Sequence, residues 1–236
     1  MFTESAAFYD VLYNFVDYEA AVREIQAIVD QRAPQARSLL DVGCGTGRHL
    51  ELLRERYEVE GLDLNPTMLE LARERCPDVP FHEGDMADFS LGRRFDVVTC
   101  LFSSIGYVRT EERMRTAILS MRRHLNPGGL LLVEPWFTPE AYWTDTITFN
   151  VAERGDLKIA WMYTSEREGA LSVLDIHYLV GRPAGIETFH ERQELGLFTE
   201  RQYLDALGDA GLEARHESDG PIGRGRGLYV ACDTTS

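Results

Sequence analysis

The chain has 236 residues, 44% apolar and 10% aromatic, enough for one large core and in the range of a single α/β domain spanning 1–236 with an insertion. Its 39 acidic and 24 basic side chains leave a formal charge of −15, a field that repels nucleic acid and anionic membrane and argues against both as partners. No stretch reaches the ~18 apolar residues of a membrane span, and Met1-Phe2-Thr3-Glu4 has no basic lead into an apolar run, so a cytoplasmic protein is expected.

In chain order, residues 5–15 carry aromatics at 8, 9, 13 and 15; Phe8, Leu12 and Phe15 fall on one helical face, with Tyr9 and Tyr13 beside it, as core or as a lid. Asp17-Tyr18 opens a helix to about Arg32, which Pro34 ends. Residues 37–43 then read as a strand running into glycines at 43, 45 and 47 and a helix from Arg48 to about Arg56. A second strand, 57–63, ends in Asp63, and Asn65-Pro66 starts a helix to Arg75, where Met68 faces either the core or a ligand. A third strand, 79–83, precedes Gly84-Asp85-Met86; a fourth, 95–101, runs into Phe102-Ser103-Ser104-Ile105-Gly106-Tyr107, the position where open α/β sheets place ligands. A helix from Glu111 to Leu125 is expected to stop at Asn126-Pro127-Gly128-Gly129, with His124 as a partner for its dipole, and strand five covers 130–134.

After Glu134-Pro135-Trp136 the period changes to two. Four alternating runs, about 146–153, 157–167, 171–181 and 186–195, are separated by turn sequences and predict an antiparallel sheet inserted after strand five. Its apolar side must cover something, either the active site or a second copy of the chain in a homodimer. The main unit resumes with a helix from Thr199 to Ala210, a strand at 212–217, a glycine-arginine loop at 220–227 and a last strand from Leu228 to Cys232. The fold class is therefore α/β, a doubly wound seven-stranded sheet with an antiparallel insertion at about 146–195. The four cysteines have neither a C-x-x-C pair nor metal-ligand spacing, so structural thiols and no metal site are expected.

The glycine spacing is G-x-G-x-G; a dinucleotide fingerprint needs glycine at 48, where Arg48 stands. Acids before the glycine turn (Asp41), ending strand two (Asp63) and following strand three (Asp85) resemble the S-adenosylmethionine (SAM) site of the Rossmann-like class I methyltransferases. SAM has no pyrophosphate to seat on a helix, but it carries an ammonium, a ribose and an adenine amine, which carboxylates complement. NAD and a site that binds without turnover are the alternatives.

With Asp41-Val-Gly-Cys-Gly-Thr-Gly-Arg-His-Leu50, Gly84-Asp-Met86, Phe102-Ser-Ser-Ile-Gly-Tyr107, Val133-Glu-Pro-Trp136 and Gly220-Pro-Ile-Gly-Arg-Gly225, the chain resembles, over nearly its whole length, the amino-sugar N,N-dimethyltransferases of macrolide pathways. It departs from them in a shorter 13–18 segment and an extra Arg-Gly in the tail. The resemblance implies SAM-dependent N,N-dimethylation of the amine of a dTDP-linked amino-deoxysugar, with another small-metabolite acceptor as the alternative. It places Tyr18, Asp41, Gly43, Gly45, Gly47, His49, Asp63, Leu64, Met68, Asp85, Met86 and Phe102 at the cofactor. Ser103, Ser104, Tyr107, Trp136, Arg224 and Arg226 are expected at the substrate; the two arginines, flanked by glycines, suit a diphosphate. Tyr13 and His177 are the candidates for orienting the amine or removing its proton, although His177 lies mid-strand, where core packing or solvent is the better account of it.

Overall fold

The computed structural model describes residues 2–218, Gly220 and 225–234. Ahead of the first strand come a 3-10 turn (Glu4–Phe8), a one-turn helix α1 (Tyr9–Leu12) and α2 (Tyr18–Arg32). The Asp17 side chain accepts from Ala20 N–H at 2.9 Å and starts α2, which buries Ala21, Val22, Ile25 and Val29 at helical spacing. Then follow β1 (Ser38–Val42), α3 (Arg48–Leu53), β2 (Glu58–Asp63), α4 (Pro66–Arg75), β3 (Phe81–Glu83), β4 (Phe95–Cys100), α5 (Glu111–Arg123) and β5 (Leu125–Val133). After them come β6 (Thr146–Arg154), β7 (Leu157–Glu168), β8 (Leu171–Arg182), β9 (Gly185–Gly196), α6 (Glu200–Asp209), β10 (Leu212–Glu217) and β11 (Leu228–Asp233).

The first sheet has seven strands in the order β10-β11-β5-β4-β1-β2-β3, with β11 antiparallel to both neighbours and the rest parallel. The chain moves outward from β1 through β2 to β3 and then crosses to β4, so the strand order reverses at β1/β4, where a crevice opens beyond the carboxyl ends. Every residue of β1 is buried, as a strand covered on both faces requires.

Two expectations are corrected. The helix foreseen to Leu125 stops at Arg123, and Asn126-Pro127-Gly128-Gly129 lies inside β5 instead of ahead of it. Leu125 pairs with Phe95, but the next pair is Leu130 with Val97, so these residues bulge out of the ladder, with Gly128 at φ 75° and Asn126 Nδ2 donating to Asp96 at 2.8 Å. Residues 5–15 do not form one helix: the 3-10 turn rotates the chain, and Phe15 is 54% exposed while Leu12 is buried.

The insertion forms a separate four-stranded antiparallel sheet, β6-β7-β8-β9 in sequence order. The glycines in its three turns, 155, 169 and 185, all have positive φ. On its inner face Ile159, Ile176, Tyr178 and Val180 pack with Val11 and Leu12 of α1. Its outer face carries Ile147, Phe149, Val151, Met162 and Leu179, all exposed. Among the described residues no helix is long and apolar enough to cross a membrane.

Candidate functional site

A cavity of about 740 Å3 lies between the carboxyl ends of the first sheet and the inner face of the inserted one. On the first side are Gly43 and Gly45, both with positive φ. A Cβ at Gly43 would lie 2.6 Å from that of Ser104, whereas one at Gly45 would meet nothing within 4 Å, leaving bare backbone for a ligand to approach. Asp63 is fixed beside them: one carboxylate oxygen accepts from Gly45 N–H and the other from Asn65 N–H, each at 2.8 Å. Burial raises its pKa against the pull of those backbone donors, and each oxygen keeps a lone pair for a hydroxyl. Asp85 would be raised by burial, but Ala87 N–H at 2.9 Å and the Arg113 guanidinium at 2.6 Å hold it below the usual range. Leu64, Met68, Met86 and Phe102 complete this side.

The end of β4 is strained. Phe102 and Ser103 take φ of 52° and 62°, a conformation that side chains other than glycine seldom adopt. It is held by Phe102 N–H donating to Glu134 at 2.7 Å and the Ser103 hydroxyl donating to Pro135 C=O at 2.6 Å, so the Glu-Pro segment after β5 fixes the loop after β4. Ser104 donates to Gly43 C=O at 3.1 Å and closes the floor.

The other side is aromatic, lined by Tyr9, Tyr13, Tyr107, Trp136, Trp161 and Tyr178 among others. Tyr13 stands edge-on to Phe102, with ring centres 5.2 Å apart, and Tyr107 donates to Gln193 Oε1 at 3.1 Å. Burial pushes the Tyr9 and Tyr107 phenols well above their ordinary range, so both stay protonated near neutral pH. Among the described lining residues the carboxylates are Asp63 and Asp85, and there is no histidine. Arg226 lines the wall as a nearly buried cation 3.5 Å from Glu134, its guanidinium 5.1 Å from the Phe137 ring centre and 5.5 Å from that of Trp136. Arg224 lies outside the described residues.

The structure therefore brings Tyr13, Gly43, Gly45, Asp63, Leu64, Met68, Asp85, Met86, Phe102, Ser103, Ser104, Tyr107, Trp136 and Arg226 to one cavity. It does not bring His177, whose side chain is 73% exposed on the outer face of the inserted sheet, because β8 turns Ile176 and Tyr178 inward and so turns His177 out. Asp41, Gly47, Tyr18 and His49 stand behind the wall. Asp41 is 1% exposed and accepts from Thr99 Oγ1 at 2.7 Å on the neighbouring strand; burial pushes its pKa up to about 7. Gly47 begins α3 against Ala72 of α4, and a Cβ there would lie 3.3 Å from the Ala72 Cβ. His49 packs its ring against Tyr18 at 5.0 Å, and burial lowers its pKa to about 4, leaving it a neutral spacer beneath the turn.

Sequence reasoning missed Phe2, Arg113 and the whole inner face of the insertion. The alternation Trp161-Met162-Tyr163 and Ile176-His177-Tyr178 was visible, but which face meets the pocket depends on how the sheet docks.

Residues 39–129 match the family model described as a methyltransferase domain. Over 96% of this chain and 92% of its own length, the dTDP-4-amino-2,3,4,6-tetradeoxy-D-glucose N,N-dimethyltransferase of Saccharopolyspora spinosa is 42% identical. The dTDP-3-amino-3,4,6-trideoxy-alpha-D-glucopyranose N,N-dimethyltransferase of Streptomyces venezuelae is 39% identical over 96% of this chain and 97% of its own. This chain belongs to the family of the dTDP-amino-sugar N,N-dimethyltransferases. Like them it is a SAM-dependent methyltransferase. The SAM-bound structure of CalS10, an amino pentose methyltransferase from Micromonospora echinaspora, superposes with a TM-score of 0.87 at 37% identity, covering 99% of this chain and 98% of that one. The glycine and carboxylate side of the cavity fits that cofactor: bare backbone at Gly45, a fixed carboxylate at Asp63 for two adjacent hydroxyls, and a second lining carboxylate, Asp85, for an amine.

Proposed function

We propose that the chain N,N-dimethylates the amine of a dTDP-linked amino-deoxysugar, with the two sheets acting as one catalytic unit in the cytoplasm. The observation that carries the reading is the division of one cavity into a carboxylate side and an aromatic side without a strong base, on a chain whose full-length relatives N,N-dimethylate dTDP-amino sugars. SAM supplies an electrophilic methyl group on a sulfonium. What remains for the protein is to hold a neutral amine in line with that bond and exclude water.

Asp63 and the Gly43–Gly45 turn fix the cofactor end, while the strained Phe102–Ser103 corner sets the floor between the two ligands. Tyr13 lines the cavity beside Phe102, where its phenol oxygen orients the amine by accepting one of its N–H bonds. Trp136, Tyr107 and Tyr178 wall the sugar, and Arg226 contributes the cation on the acceptor side, steadied by Glu134. An amine titrating not far above pH 7 gives up its proton to water at small cost, which is why a site without histidine or a free carboxylate on this side suffices.

Mass spectrometry after incubation with SAM and a panel of dTDP-3-amino and dTDP-4-amino deoxyhexoses tests this. Gain of one and then two methyl groups on at least one member is expected. No gain on any, with SAM bound, would instead point to an acceptor outside this class. We also propose that the β6 side of the exposed apolar outer face, with Ile147, Phe149 and Val151, pairs two copies of the chain and leaves the β8–β9 side uncovered. Sedimentation should show a dimer that Phe149→Glu dissociates; a monomeric unmodified protein would exclude the pairing.

A further inference from the structure

On that outer face, next to the apolar patch, three side chains with metal-binding atoms come together. His177 of β8 and His190 of β9 are directly opposed across the strand pair, and Asp175 lies two residues before His177 and hence on the same face. The imidazole centres are 4.6 Å apart. Asp175 Oδ1 is hydrogen-bonded to His190 Nε2 and lies 3.9 Å from His177 Nε2, and the three donor atoms are all within 4.8 Å of one another. We propose that Asp175, His177 and His190 form a binding site for a divalent transition-metal ion of the zinc type, with the fourth position open to water.

Donor type, spacing and rigidity support the assignment. Two imidazoles and one carboxylate are a donor set that zinc, cobalt and nickel favour over calcium or magnesium. Ligands on a tetrahedral zinc with Zn–N bonds of roughly 2.0–2.1 Å stand about 3.3 Å apart, so the observed separations need only side-chain rotation and no backbone movement. The backbone is already fixed, because β8 and β9 pair without interruption from Leu171↔Gly196 to Arg182↔Gly185. Arg192 is the pairing partner of Asp175, but its guanidinium is drawn to Glu168 at 2.7 Å and Glu194 at 3.0 Å and leaves the carboxylate to the histidines. A simple Asp–His pair would use one imidazole; the second, facing the same oxygen, makes this a three-donor cluster. The net charge of −15 favours a cation at the surface. The spacing in sequence, D-x-H followed by a histidine thirteen residues on, gave no signal, since strand register and not local spacing assembles the cluster.

The test uses the full chain without a histidine tag. Calorimetric titration with Zn2+ is expected to show one ion per chain, and Asp175→Asn, His177→Gln and His190→Gln should each weaken binding at least about tenfold, the lower end of what loss of even an outer-sphere partner costs. On the unmodified protein, Zn2+ should shift the imidazole NMR signals of His177 and His190 before those of His49, His82, His124 and His216. Co2+ should give the visible absorption of a four-coordinate N/O site. No stoichiometric binding, or binding that persists at full strength in the variants and moves other histidines first, would overturn the proposal.

Discussion

Asp63 shows how a side chain can serve two ends at once. Each oxygen holds a backbone N–H of the cofactor crevice, and its remaining lone pairs face the cavity. Asp63→Ala should therefore weaken SAM binding by about 1.5 to 3 kcal/mol, the range for hydrogen bonds to a charged group, as calorimetry would read directly. Asp63→Asn, which keeps one acceptor, should lose less; equal affinity in all three proteins would give the second-strand acid another role. Tyr13 is flanked by the Tyr9 and Phe102 rings and, on the proposed reading, only orients the amine, so Tyr13→Phe should lower kcat by less than the ~100-fold that full loss of acid–base catalysis costs, with KM for the sugar changing as well. A fall of several thousand-fold with both ligands bound would make it the base. For Asp41 the folded pKa of about 7 lies above the roughly 3.9 of an unfolded chain. Folding thus favours its protonated form, and that contribution is complete below about pH 4 and lost as pH rises through about 7. In the ligand-free protein the Tm of Asp41→Asn relative to the unmodified chain should rise between pH 5 and pH 8, and a constant difference would contradict it.

At the scale of elements, the legible parts were those written by short-range rules. The Asn65-Pro66 start of α4 holds Thr67 and Met68 N–H on the Asn65 side chain, at 3.0 and 3.3 Å, as its sequence foretold, and the Thr199–Gln202 capping box starts α6. The β5 bulge was misread because Asn-Pro-Gly-Gly ends helices and kinks strands by the same backbone preferences, and only the pairing with β4 decides between them. His177 was misplaced for a similar reason: alternation says which residues share a face, not which face docks. The N-terminal strap was not legible at all. Glu191 of β9 accepts from Thr3 N–H, Thr3 Oγ1, Ser5 N–H and Ser5 Oγ at 2.8, 2.7, 2.9 and 2.5 Å, and Asn65 Nδ2 donates to Phe2 C=O at 2.8 Å. Burial would raise the Glu191 pKa, but these donors hold it below the usual carboxylate range. Glu191→Ala should speed amide exchange at Ser5 and Ala6 by about tenfold or more while α5 exchanges as before; unaltered exchange at Ser5 would mean that the strap is held from elsewhere.

For the whole molecule, charge and shape act together. A chain of net charge −15 that binds a nucleotide sugar must offer a cation at the right place, and Arg226 stands in the acceptor wall between Glu134 and two aromatic faces. Arg226→Ala should raise KM for a dTDP-amino sugar by about tenfold and leave SAM affinity within about twofold, with steady-state kinetics and calorimetry as the respective readouts. A free amino sugar used as acceptor would discriminate further: if its KM rises as much, Arg226 acts through Trp136 and Glu134 and not on phosphate. The two-sheet architecture has a longer consequence. On the proposed reading one sheet holds the methyl donor while much of the acceptor wall belongs to a contiguous insert from Thr146 to Gly196, so the two specificities can be varied separately. A lineage can redraw its sugar by altering inward positions of four hairpin-linked strands, such as 161, 163, 176, 178 and 193, without disturbing a single residue of the glycine turn.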